Sequence, residues 1–241
     1  MNYIKGIQLN KPPEAASYLN DLPLVQYLRR HDGLFFEKPV TFFVGENGTG
    51  KSTLIEAIAV GMGFNAEGGS RDHAFSTRNT CSGLSELLTV LKTVSPRDGF
   101  FLRAESFYNT ASYLDETSSL KRYGGISLHE QSHGESFISL VKNRFEGQGL
   151  YMMDEPEAAL SPQRLMSLIT RIHDLVKDGS QFIIATHSPI LMAYPHAEIL
   201  QFSDAGIRRV SYRETEHYKV TKMFMDDPER MMHYLIDSDD R

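Results

Sequence analysis

The sequence predicts an α/β domain whose mixed, largely parallel sheet is flanked by helices. Apolar, β-rich runs alternate with helical patterns along the chain, as in a doubly covered sheet. Several of those runs are continuously apolar, which suits strands covered on both faces. One of them leads through a glycine-rich loop directly into a helical run. With 241 residues, 41% hydrophobic and 23% charged, the chain can bury one sizeable core, and we expect one domain over 1–241.

In chain order, the expected strands are IKGIQL (4–9), VTFFV (40–44), FFLRA (100–104), LYMM (150–153), QFIIAT (181–186), EILQF (198–202) and IRRVSY (207–212). Leu84, Leu87, Leu88, Leu91 and Val94 recur at spacings of three and four, which predicts a helix. A second helix carries its own end signals: Ser161 as N-cap, Pro162 in the first turn and Gly179 beyond the last turn. Its apolar stripe is Leu165, Leu168, Ile169, Ile172, Leu175 and Val176. Residues 109–134 are polar and glycine-containing and are expected to form a mobile lobe or lid.

Composition narrows the function classes. The net charge of −6 gives no global attraction to nucleic acid or anionic membrane. A local basic face remains open through Arg71, Arg78, Arg103, Lys121 and Arg122. No apolar run approaches the ~20 residues of a membrane span, and the N-terminal segment lacks a signal-peptide core. The single cysteine, Cys81, excludes an internal disulfide, so a cytoplasmic location is expected.

The segment GENGTGKS, Gly45 to Ser52, satisfies G-x-x-x-x-G-K-[ST] between an apolar strand and a helical run. Gly45, Asn47, Gly48, Thr49 and Gly50 would turn backbone N–H groups toward phosphate oxygens, helped by the positive end of the following helix. Lys51 can reach the β- and γ-phosphates. The Ser52 hydroxyl suits Mg²⁺, and Thr53 is a neighbouring phosphate contact. Asp154 and Glu155 close the apolar run LYMM: Asp154 is placed to hold Mg²⁺ and Glu155 to orient the attacking water and accept its proton. His187 follows another apolar strand, where a neutral imidazole can donate a hydrogen bond to the γ-phosphate. Lys51, Glu155 and His187 are thus the expected catalytic residues.

The order and spacing of these segments resemble the ATP-binding cassette (ABC) class of P-loop ATPases. The segment QSHGESF places Ser132, His133, Gly134 and Glu135 on the last four positions of that family's signature motif. Asp154 lies 22 residues after Ser132, as is usual in the family. The resemblance spans roughly residues 35–200 and implies a P-loop NTPase fold with a reduced helical signature lobe at about 82–148. It implies ATP and Mg²⁺ as ligands and a head-to-tail homodimer, in which Ser132 to Glu135 of one chain close over the nucleotide held by the other. Glu105 falls where the family usually has a glutamine touching Mg²⁺, and Ser161 replaces an aspartate found in transporters.

The segment DEPEAAL, with Glu157 after the proline, resembles chromosome-maintenance, recombination and defence ATPases more than transporter cassettes. The amino-terminal segment and the tail YRETEHYKVTKMFMDDPERMMHYL resemble those of small stand-alone bacterial ATPases of the class. Only 27 residues separate Glu105 from Ser132, little room for a membrane-docking lobe. The expectation is therefore a soluble ATPase whose ATP-driven dimerisation acts on a nucleic-acid or protein partner. Two alternatives stand beside it: the ATPase subunit of a membrane transporter, and a non-catalytic nucleotide-dependent binding module.

Overall fold

The computed structural model describes residues 2–71, 83–107, 112 and 130–236. Its strands are β1 (Ile4–Leu9), β2 (Leu34–Phe35), β3 (Val40–Val44), β4 (Leu88–Lys92), β5 (Asp98–Arg103), β6 (Gly149–Asp154), β7 (Gln181–Ala185), β8 (Glu198–Ser203) and β9 (Gly206–Val210). Its helices are α1 (Pro23–Arg30), α2 (Lys51–Gly61), α3 (His133–Arg144), α4 (Pro162–Lys177), α5 (Pro189–Met192), α6 (Glu216–Asp226) and α7 (Pro228–Ile236). Cys81, Arg78, Lys121, Arg122 and most of the expected lid over 109–134 lie outside the described residues.

The main sheet has the order β5-β6-β7-β3-β8-β9, parallel except for the terminal β8–β9 hairpin. Alternation across its central strands explains their continuous apolar sequence. Phe43, Phe101, Met152, Ile183 and Leu200 face one core with Leu54, Ile55 and Ile58 of α2. Their neighbours Phe42, Phe100, Met153 and Ile184 face the other, with Phe137 and Leu140 of α3 and Leu168 and Ile172 of α4. Every residue of β3, β6 and β7 is buried, so each apolar side chain contributes about 1.5–3 kcal/mol to one core or the other.

The helix expected over Leu84–Val94 does not form. Gly83–Glu86 makes a short 3₁₀ turn, and Leu88–Lys92 is a strand antiparallel to β1, with Ile7 opposite Val90 and Gln8 opposite Thr89. Leucine spacing fits a helical period, but Thr89 and Val90 are β-branched and β1 offers unpaired backbone groups. Tertiary pairing decides such an ambiguous run. Val94 is 44% exposed, so the stripe is not one buried face. The result is a second, antiparallel sheet, β2-β1-β4.

Helix α4 follows its sequence signals. The Ser161 hydroxyl accepts from the Arg164 amide, Pro162 opens the first turn, and Gly179 beyond the end has φ +84°. Helices α6 and α7 contain no buried residue and expose Val220, Met223, Met225, Tyr234, Leu235 and Ile236. Among the described residues no helix is long and apolar enough to cross a membrane.

Strand order now positions the chemistry. β6, β7 and β3 are adjacent and parallel, with Asp154 and Phe43 both level with Ala185. The glycine-rich loop, the acid pair and His187 therefore leave the same carboxyl edge of the sheet within two residues of that line, where ligands of open α/β sheets bind.

Candidate functional site

The loop after β3 folds as a cradle because glycine stands where nothing else fits. Gly45 has φ +142°, and a Cβ there would come within 2.3 Å of the Phe202 carbonyl oxygen. Gly50 is the left-handed N-cap of α2, at φ +90°. Asn47 and Gly48 are exposed at the loop tip, Ser52 and Thr53 lie half-buried in the first turn of α2, and the Thr49 hydroxyl donates to the Glu46 carbonyl at 2.8 Å. Lys51 is buried, its ammonium donating to the carbonyls of Gly45 and Glu46 at 2.8 Å each. Burial lowers its pKa, against the pull of Glu155, Asp154 and Glu157.

Asp154 at the end of β6 accepts from the Ser52 hydroxyl at 3.0 Å. Burial raises its pKa to about 6, opposed chiefly by Arg103 and then by the Ser52 hydrogen bond. A buried carboxylate held at that cost beside a hydroxyl suits a divalent cation. Among the described residues no group of three or more acidic, histidine or cysteine side chains converges as a metal cage. Two protein oxygens fit Mg²⁺, which keeps waters and substrate phosphates for its other positions.

Glu155 occupies the left-handed region, φ 50° and ψ 52°, a conformation that a non-glycine residue adopts at a cost of order 1–3 kcal/mol. Its amide is pinned to the Ala185 carbonyl at 3.0 Å, and its side chain remains 42% exposed. Glu157, two residues on, is half-buried. It accepts from the Thr186 hydroxyl at 2.8 Å and from the His187 amide, so it ties the acid-pair loop to the histidine loop. Burial raises its pKa, and these hydrogen bonds oppose the rise.

The His187 imidazole stands between two elements. Its Nε2 is buried, with no hydrogen-bond partner among the described residues, 3.6 Å from Glu155 Oε1. Its Nδ1 is 2.9 Å from Nε2 of His217, on the first turn of α6. Burial lowers the pKa of both rings, with Lys51 adding to the effect.

The signature-like segment starts α3. Ser132 is its N-cap, and Glu135 folds back to accept from the Ser132 amide at 3.0 Å and hydroxyl at 2.6 Å. Those hydrogen bonds lower the Glu135 pKa. Arg164 of α4 pairs with Glu135 at 3.1 Å, and a Cβ on Gly134 would come within 2.5 Å of the Arg164 guanidinium and 2.9 Å of the Ala159 carbonyl. Gly134 is therefore fixed by packing, while Ser132, His133 and Glu135 stay exposed. His133 also lines a cavity of about 290 Å³ with Ser52, Arg103, Glu105, Asp154 and Glu155.

Arg103 is placed otherwise than on a basic surface. Its guanidinium turns inward, 2.9 Å from Glu56 and 3.6 Å from Asp154, leaving 17% of the side chain exposed. Register explains this, since Arg103 pairs directly with Asp154 across β5 and β6. Arg71 lies over the Phe64 ring, and the other members of the expected basic face lie outside the described residues. Glu105 sits 3.6 Å from Arg103 with its side chain 88% exposed.

Three participants escaped sequence reasoning: Arg103 as the cation beside Asp154, Glu157 as the strut under His187, and His217. Only Glu157 had a local signal, its place after Pro156 in the acid-pair segment.

Comparison with known proteins follows the same lines. A family model described as an AAA ATPase domain matches residues 82–192. The ribose import ATP-binding protein RbsA of Bacillus cereus is 26% identical over 167 residues, covering 60% of this chain and 33% of that protein. The cytochrome c biogenesis ATP-binding export protein CcmA of a Ruegeria species is 24% identical over 146 residues, 59% of this chain and 69% of that one. The chain thus spans a third of the length of the ribose-import relative. In fold, it is similar to CbiO1 of Clostridium perfringens, part of an ABC transporter complex, with TM-score 0.50 and 16% identity over 98% of this chain and 99% of that one.

Proposed function

We propose that this chain is an ABC-type P-loop ATPase that hydrolyses ATP at a site completed by a second copy of itself. The observation that carries the reading is the convergence of Lys51, Ser52, Asp154, Glu155 and His187 at one sheet edge, with Ser52 bonded to Asp154 and Glu155 3.6 Å from His187. The backbone of Gly45 to Gly50 wraps the phosphates, Lys51 neutralises their charge, and Thr53 supports them from the first turn of α2. Ser52 and Asp154 would hold Mg²⁺, which neutralises charge on the phosphate oxygens, with Glu105 reaching its outer waters.

Glu155 orients the attacking water and takes its proton. The pinned left-handed backbone fixes where that carboxylate points. His187 donates from Nε2 to the γ-phosphate, and Glu157 holds the histidine loop in register with the acid pair. The exposed N-terminus of α3, with Ser132, His133, Gly134 and Glu135, is an anion site that a neighbouring copy can present to this cradle. ATP-bound closure and post-hydrolysis release are then two states that a nucleic-acid or protein partner reads, in the cytoplasm.

The test is turnover as a function of protein concentration. The rate per chain should rise steeply with concentration, and Glu155→Gln should abolish it. A rate per chain independent of concentration would remove the composite site, and full activity in Glu155→Gln would remove the base. A second reading, the ATPase subunit of a membrane importer or exporter, draws on the names of the relatives. It predicts stable association with membranes; recovery of all the native protein in the membrane-free fraction would count against it.

A further inference from the structure

Resting on the assignment of His187 as the γ-phosphate donor, we infer that His217 is a positioning residue that fixes the tautomer of His187 and makes ATP turnover depend on the C-terminal helix α6. A neutral imidazole carries one N–H. To donate toward the nucleotide, His187 must carry it on Nε2, leaving Nδ1 as an acceptor. The group facing Nδ1 is Nε2 of His217 at 2.9 Å, close enough for a hydrogen bond and useful only if His217 is the donor. Two neutral rings at this distance share one proton, and the assignment with His217 donating leaves the His187 N–H on Nε2, which has no hydrogen-bond partner among the described residues and faces Glu155 Oε1 at 3.6 Å.

The surroundings favour that arrangement. Both rings are depressed by burial, and Lys51 lies close enough to oppose a positive charge on either. Glu155 faces His187, while Glu216 and Glu46 are the acidic groups facing His217. The His217 ring is held by the start of α6: the Thr215 hydroxyl donates to the Tyr212 carbonyl at 2.7 Å and accepts from the Tyr218 amide at 3.3 Å. Thr215 is fully buried, whereas α6 itself buries no residue. His217 is thus fixed at its base on a helix otherwise exposed, so a ligand or partner that shifts α6 would shift the tautomer lock.

The experiment compares wild type, His187→Ala, His217→Leu and His217→Gln in the full chain. Leucine keeps the bulk and removes the donor, and glutamine restores an N–H near the position of Nε2. His217→Leu should lower kcat on the order of tenfold to a hundredfold, typical of lost outer-sphere partners, with KM for ATP little changed. His217→Gln should recover turnover to within about threefold of wild type, which a merely structural role would not produce. Nitrogen-15 spectra of labelled histidine should show the His187 proton on Nε2 in wild type and a mixture of tautomers in His217→Leu.

Equal loss in the leucine and glutamine variants, or an unchanged His187 tautomer in His217→Leu, would overturn the inference while leaving His187 in place. An active His187→Ala enzyme would instead overturn the assignment on which it rests.

Discussion

Removing the charge of Asp154 should stabilise the nucleotide-free, metal-free protein while destroying its response to Mg²⁺. The folded-state pKa of about 6 lies roughly two units above the ordinary 3.8. At about 1.36 kcal/mol per unit, the folded chain carries a penalty of about 3 kcal/mol at neutral pH. The sign follows from the raised acid: the penalty is absent below 3.8, grows through the window and is complete above about 6. Asp154→Asn removes it and keeps an oxygen for the Ser52 hydroxyl. It also strips Arg103 of one acidic neighbour, although Glu56 remains at 2.9 Å. We expect a net gain of about 1–2 kcal/mol, or about 2–8 °C in Tm for a chain of this size.

Thermal unfolding of the ligand-free proteins at about pH 7.5 and about pH 5 measures this directly. The Asn variant should melt higher at the upper pH, lose much of that advantage at the lower, and show no added stabilisation by Mg²⁺ with ATP. An Asn variant that melts below wild type at the upper pH would refute the reasoning, because the buried charge would then be stabilising.

Other consequences are read by the same methods. Glu157→Ala leaves the Thr186 hydroxyl and the His187 amide without their acceptor, at about 1–3 kcal/mol for each unsatisfied group, so Tm and turnover should both fall. Glu157→Gln keeps one acceptor and should cost less than half as much; equal losses would deny the strut. Gly45→Ala drives a Cβ against the Phe202 carbonyl and should lower stability by about 2–4 kcal/mol and abolish ATP binding, checked by calorimetry.

The legible part of this molecule was the part encoded locally. The loop from Gly45 to Ser52, the acid pair ending β6 and the caps of α4 each place their own backbone, so residue order alone announces them. β3, β6 and β7 were readable because burial on both faces leaves apolar runs over 42–44, 150–153 and 182–185, with Thr41, Asp154 and Gln181 only toward their ends. Leu88–Lys92 is ambiguous in sequence because its leucines satisfy a helical period, and only pairing with β1 selects the strand. Arg103 was invisible as an inward group because its partners, Glu56 and Asp154, come from distant segments joined by strand register. His217 lies 30 residues beyond His187 on an exposed helix, and no local pattern links the two rings.

The central claim is that one polypeptide supplies half a reaction centre. Sedimentation of Glu155→Gln with Mg²⁺ and ATP tests it most directly, because this variant should bind nucleotide and fail to release it by hydrolysis. The 27.3 kDa chain should double in mass with ATP, remain single with ADP, and remain single with ATP when Ser132→Arg is added. A Glu155→Gln protein that holds ATP stoichiometrically yet stays at 27.3 kDa across the concentration range would contradict the account.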